Sequence, residues 1–199
     1  PRRHFYEEAE ADVLVAVEEA IGVLAELGAS VQEVEVPSIG YAQAALLATI
    51  MTEATTYHLP LLADHAHEYR PDVRLRLEAG ALFTAPQYVQ AQRIRSLLLA
   101  EMGQTLQQVD ILATPTTAIA APKLEDSTVT IDVTRVLTRC TGPFNLTGLP
   151  ALSVPCGFNA QGMPLAMQLV GRPFHEETLL RAAHTYQRHT DWHTRRPPL

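Results

Sequence analysis

Lysine is nearly missing from this chain. Of its 15 lysine and arginine residues only Lys123 is a lysine, so chemistry that needs a titratable amine has one candidate. Lys123 follows Ala121-Pro122 in a polar stretch. A lysine works as a base only when desolvation lowers its pKa, and this one reads as solvated. Cysteine is scarce as well. Cys140 and Cys156 make no disulfide framework and read as reduced thiols of a cytoplasmic protein. No apolar run approaches the roughly 18 residues of a membrane span, so no membrane partner is expected. The opening Pro1-Arg2-Arg3-His4-Phe5 lacks the apolar stretch of a secretory leader. Positive charge is in deficit, with a formal net charge of −7, which argues against direct nucleic-acid binding, since phosphate contacts need clustered Lys and Arg. The chain also has no Gly-x-Ser-x-Gly elbow, no Gly-x-Gly-x-x-Gly turn and no Walker loop. Those gaps exclude the commonest serine-hydrolase and nucleotide-binding signatures.

What is present is an ordinary globular composition, 47% hydrophobic over 199 residues, enough for one sizeable core or two small ones. Glycine and proline concentrate in one place, Thr141 to Phe158, where Gly142, Gly148 and Gly157 alternate with Pro143, Pro150 and Pro155. Glycine permits backbone shapes other residues resist, and proline fixes φ and removes a donor. The stretch therefore reads as a tightly specified loop feeding a buried strand at Ala151 to Val154. A second apolar run, Leu165 to Gly171, follows the turn residues Asn159 to Pro164, and the two predict an antiparallel hairpin.

Elsewhere the pattern alternates helix and strand. Asp12 reads as the cap of a helix with Val13, Val17, Ile21 and Leu24 at helical spacing, stopped by Gly28. Val34 and Val36, alternating with Glu33 and Glu35, predict a half-exposed strand ended by Pro37. Helices are expected at Ile39 to Tyr57, then, after Pro60, at Leu61 to Tyr69. Further helices are expected from Arg70-Pro71-Asp72 to about Ala79, and from a Thr84 cap over Pro86 to Met102. Ile111 to Thr114 reads as a short buried strand, Ala118 to Asp126 as a loop, Ile131 to Arg139 and Glu176 to His189 as helices, and Arg195 to Pro198 as an irregular tail. A strand is missing before the first helix. Parallel α/β sheets are built from strand–helix–strand units, so the chain reads as starting in mid-unit.

Few residues look chemically equipped. Ser153 lies in the apolar run and reads as a core serine, and Ser38, Ser96 and Ser127 have no glycine-rich surroundings. Cys156 reads as a small apolar residue at a strand end. Asp64, His65 and His67 form one short cluster without a second ligand set, so no metal site is expected. Arg76 could grip a substrate acid group, or pair with Glu78 or another helix acid. Gln168, the lone polar residue of its strand, either lines a site or satisfies a loop carbonyl.

Several motifs in order resemble one family. Pro143-Phe144-Asn145-Leu146-Thr147-Gly148-Leu149-Pro150-Ala151-Leu152-Ser153-Val154-Pro155 and Gly162-Met163-Pro164-Leu165-Ala166-Met167-Gln168-Leu169-Val170-Gly171 look like the C-terminal half of amidase signature enzymes. So do Asp110-Ile111-Leu112-Ala113-Thr114-Pro115-Thr116-Thr117, Glu177-Thr178-Leu179-Leu180 with Ala182-Ala183, and Asp191-Trp192-His193 with Arg195-Arg196-Pro197. The resemblance implies an α/β fold, α/β/α layers around a mixed sheet, with residues 1–199 as the C-terminal part of a single amidase domain. It implies amide hydrolysis by a serine nucleophile, a cis-serine and a lysine, all from an N-terminal half that has no counterpart here. No catalytic residue is therefore assigned to this chain, and no cofactor is implied.

By the same resemblance Arg76 and Thr138 occupy substrate-facing positions; with Gln168, from its strand pattern, they are the substrate-binding candidates, while Gly142, Pro143, Asn145 and Gly148 shape the pocket. One relative within the family, the glutamine-dependent tRNA amidotransferase, carries in its catalytic chain an aspartate seven residues before the asparagine matching Asn145. Here that position is Thr138, which favours a general amidase over a glutamine-dependent one. Three readings follow: part of an amidase acting on a small amide, part of the amidotransferase's catalytic chain, or a non-catalytic ligand- or partner-binding module. Without the other half the chain is expected to be inactive, and to self-associate through an open sheet edge and apolar surface.

Overall fold

The computed structural model describes residues 1–123 and 131–196. Ser127, the end of the Ala118 to Asp126 loop and the tail prolines Pro197 and Pro198 lie outside the described residues. Among the described residues, seven α-helices and three strands run in the order α1 (Ala11–Glu26), α2 (Ala42–His65), α3 (Pro71–Gly80), α4 (Ala85–Gln108), β1 (Ile111–Pro115), α5 (Ile131–Thr138), α6 (Gly142–Thr147), β2 (Ala151–Phe158), β3 (Pro164–Gly171) and α7 (Glu176–Gln187).

The expected hairpin is present. β2 and β3 pair antiparallel, β3 pairs antiparallel with β1, and the order across the sheet is β1-β3-β2. Side chains on a strand alternate between faces, and β3 shows the consequence. Leu165, Met167 and Leu169 join Val154 and Cys156 in a core beneath α1 and α7. Val170 instead joins Leu112 in a core with α2, α4 and α6, which includes Ala45, Leu98, Met102 and Phe144. Helices thus cover both faces of a central sheet. The cover is incomplete at β2, where Ala151 and Ser153 are exposed on the α6 side.

Several local expectations change. Asp12 sits in the first turn of α1, not at its cap; the cap is Glu10, whose carboxylate accepts the Ala120 N–H at 3.0 Å. The Val34–Val36 segment buries Val36 but pairs with no strand among the described residues. It runs beside α4, whose Thr105 hydroxyl donates to the Glu35 carbonyl at 3.1 Å. Pro60 does not break α2, which continues to His65. The carbonyl that Pro60 frees belongs to Thr56, an exposed residue where water can satisfy it. Helix α4 runs past Met102 to Gln108 because Thr105 and Leu106 continue its buried face. The segment expected as a loop at 142–147 is a short helix, α6. Pro143 occupies its first turn and Gly148 ends it at φ 73°, a left-handed conformation open to glycine at little cost.

Candidate functional site

Arg76 is placed by α3. Pro71 starts that helix with its fixed φ, and Thr55 Oγ1 donates to the Leu77 carbonyl at 2.6 Å to hold α3 on α2. Gly80 completes the contact: a Cβ there would overlap Thr55 Oγ1 and the Met51 carbonyl. Arg74 takes Glu78 at 2.6 Å along the exposed side of α3. Arg76 reaches across to α5 instead, donating from Nη2 to Thr134 Oγ1 at 2.8 Å. One turn on, Thr138 Oγ1 donates to the Thr134 carbonyl at 2.8 Å. Arg76 and Thr138, 62 positions apart in sequence, thus meet through Thr134, a residue that no sequence pattern singles out.

Helix α6 begins at Gly142, with three residues between it and the end of this chain of polar groups. Gly142 lets it approach α2, since a Cβ would sit 2.5 Å from Leu46 Cδ2. Pro143 is buried, while Asn145 and Gly148 are exposed. Gln168 is 3% exposed, and its Nε2 donates to Thr114 Oγ1 and to the Cys140 carbonyl, both at 3.2 Å. Of its two expected roles, this geometry matches the second: it ties the corner before α6 to the sheet.

Among the described residues, the candidate nucleophiles have few catalytic partners, and Ser38 alone of the serines bonds a carboxylate. Ser153 is not a core serine: it is exposed on edge strand β2, with its Oγ 3.0 Å from Thr116 Oγ1. A neighbouring hydroxyl is no base. Ser38 donates to Glu101 Oε1 and Ser96 to the Gln92 carbonyl. Burial pushes the Cys140 thiol up to about 11 and the Cys156 thiol up to about 12, so neither forms thiolate near neutrality. Lys123 is exposed. His65 Nδ1 faces Glu68 at 2.9 Å, and no group of three metal-ligating side chains occurs among the described residues. No helix of the described residues is long and apolar enough to cross a membrane. One shallow depression lies by Leu61, His65 and Tyr69, another between Val15, Cys156 and Trp192. Neither involves Arg76 or Thr138, which are both half-buried.

Comparison with known proteins gives a consistent picture. The family model described as Amidase matches residues 1–180. The chain is 39% identical to an amidase of Pseudomonas putida over all of its own length and 44% of that protein. It is 37% identical to the A-type subunit of a glutamyl-tRNA(Gln) amidotransferase from Roseiflexus castenholzii, over 99% of the chain and 45% of the relative. A crystal structure of an amidase superposes with a TM-score of 0.85 at 27% identity, covering 95% of this chain and 44% of that one. The chain spans less than half the length of the curated relatives it matches.

Proposed function

The chain belongs to the amidase family, and from that premise we propose that it forms the C-terminal, substrate-facing portion of a hydrolase that cleaves carboxylic amides to an acid and ammonia or an amine. The observation that carries this reading is the Arg76–Thr134–Thr138 chain just before α6, set in a structure whose one serine–carboxylate pair among the described residues, Ser38 with Glu101, lies elsewhere, between the start of α2 and α4. Such a wall can recognise a substrate but cannot cleave it. The serine, cis-serine and lysine come, in this reading, from a segment outside this chain that packs over the uncovered side of β2. The serine oxygen attacks the amide carbonyl carbon, the C–N bond breaks as the amine takes a proton, and water hydrolyses the resulting ester. Arg76 orients the substrate through its planar donors. Asn145 offers an amide at the exposed side of α6, and Gly142, Pro143 and Gly148 set where that helix stands.

The 199-residue chain alone is expected to turn over no amide. Hydrolysis that co-purifies with the chain and survives exclusion of contaminating enzyme would overturn the assignment of the catalytic groups. In the full-length protein, Arg76→Ala is expected to lower kcat/KM by roughly tenfold or more, the scale of a lost charge-assisted hydrogen bond. An unchanged value removes Arg76 from the site.

A second reading, part of the catalytic chain of a glutamine-dependent amidotransferase, is favoured by the 37% identity to one such chain. Thr138 weighs against it. A neutral hydroxyl already donated to its own helix does not replace a carboxylate opposite a buried ammonium. Glutaminase activity that requires partner proteins would establish the second reading; hydrolysis of simple amides without partners would exclude it.

A further inference from the structure

Residues 139–141 turn the chain between α5 and α6, and the turn is gripped from outside. Arg139 is 8% exposed. Its Nε donates to the His4 carbonyl at 2.7 Å, its Nη2 to Glu7 Oε2 at 3.1 Å, and its Nη1 lies 2.9 Å from Glu8 Oε1. His4 returns the contact, with ring Nε2 3.0 Å from the Arg139 carbonyl. A carbonyl only accepts, so this ring nitrogen carries the proton. Glu8 Oε2 also meets Arg135 Nη1 at 2.9 Å, tying the same segment to α5. Beyond Arg139, the Cys140 carbonyl is held by Gln168, and the Phe5 ring stacks on Phe144 of α6 with centroids 5.5 Å apart.

A buried guanidinium is a poor source of stability, because an apolar side chain of similar volume often does as well without losing hydration. What it supplies is direction, through donors in a rigid planar fork. Here the fork reaches three residues of the N-terminal segment from a position between Thr138 and Gly142. We propose that Arg139 is a positioning residue: by clamping the α5–α6 corner to His4, Glu7 and Glu8, it fixes where Thr138 and the start of α6 stand relative to Arg76. The inference rests on the reading above, in which this wall faces an amide substrate.

The test uses the full-length protein with Arg139→Met and Arg139→Lys, read by amide hydrogen exchange and by steady-state kinetics on a neutral carboxylic amide. Arg139→Met is expected to speed exchange in residues 1–10 and 131–147 while leaving the β2–β3 hairpin unchanged. KM is expected to rise about tenfold with kcat held within about twofold, the pattern of lost substrate positioning without lost chemistry. Arg139→Lys, which keeps one charge but not the fork, is expected to recover part of both effects. Unchanged exchange overturns the clamp. Faster exchange with unchanged KM overturns the positioning role. If Arg139→Met loses protection throughout, the Glu7→Gln/Glu8→Gln pair keeps the His4 contact while removing both anions, and the same two criteria apply to it. If the unaltered protein cleaves no amide, the functional reading fails, while the exchange measurement still decides whether Arg139 clamps the corner.

Discussion

His4 is buried with its ring against the Arg139 carbonyl and its φ at 74°. Burial lowers its pKa; the carbonyl and the nearby Glu7 and Glu8 oppose that shift, and the Arg139 charge adds to it. The folded protein therefore binds fewer protons than the unfolded chain just below the ordinary imidazole pKa of about 6.5, so stability falls as pH drops through that window. His4→Gln keeps a donor for the carbonyl and removes the titration. Its melting temperature is expected to vary less between about pH 7.5 and 5.5 than that of the unaltered chain. Equal slopes would show that His4 does not contribute. The cysteines make a second residue-scale prediction. Both are buried with raised pKa values, so neither is expected to react with a thiol-specific disulfide reagent in the native chain, and both are expected to react once it is unfolded.

At the scale of elements, two glycines set how helices meet their neighbours, and they differ in cost. Gly148 ends α6 at φ 73° with open space around a would-be Cβ. Gly148→Ala therefore carries only the left-handed backbone penalty, about 1 kcal/mol. At Gly80 a Cβ would overlap the Met51 carbonyl and Thr55 Oγ1. A backbone carbonyl cannot rotate aside, so α3 must shift on α2, at a cost of roughly 1–3 kcal/mol. Urea unfolding of the two variants is expected to rank Gly80→Ala as the more damaging; the reverse order would mean that the α2–α3 contact yields easily. The short helix α6 also shows where local pattern misleads. Gly142-Pro143 and Gly148 mark a turn at each end, and the helix has only six residues, too few to display a helical period.

For the molecule as a whole, the free edge of β2, the bare Ala151–Ser153 face and a row of exposed apolar residues along α2 stand out. Leu47, Ile50, Tyr57 and Leu61 are 42–76% exposed at spacings that share one helical face. Edge strands and apolar stripes without a partner favour association. Light scattering is expected to show a mass that rises with concentration for the isolated chain, and a constant monomer mass would count against it. Pro155 and the register shift beside it in the β2–β3 pairing make β2 irregular, which disfavours continuous edge-to-edge pairing.

The sequence by itself determined the elements with strong periodicity or punctuation: α1, the Pro71 start of α3, the β2–β3 hairpin and the order of motifs that marks the family. These depend on nearest neighbours along the chain, so side-chain period, proline and glycine suffice to locate them. Val34–Val36 had the same period-two signal and still formed no strand among the described residues, because a strand exists only when another pairs with it. Ser153 looked buried for a similar reason: alternation along β2 says which side chains share a face, not whether a helix covers that face. The meeting of Arg76 with Thr134, the donors of Gln168 on Cys140 and Thr114, and the grip of Arg139 on His4 were decided only by tertiary structure. Each joins residues 28 to 135 positions apart, and their distances are set by how α3, α5 and the N-terminal segment pack together.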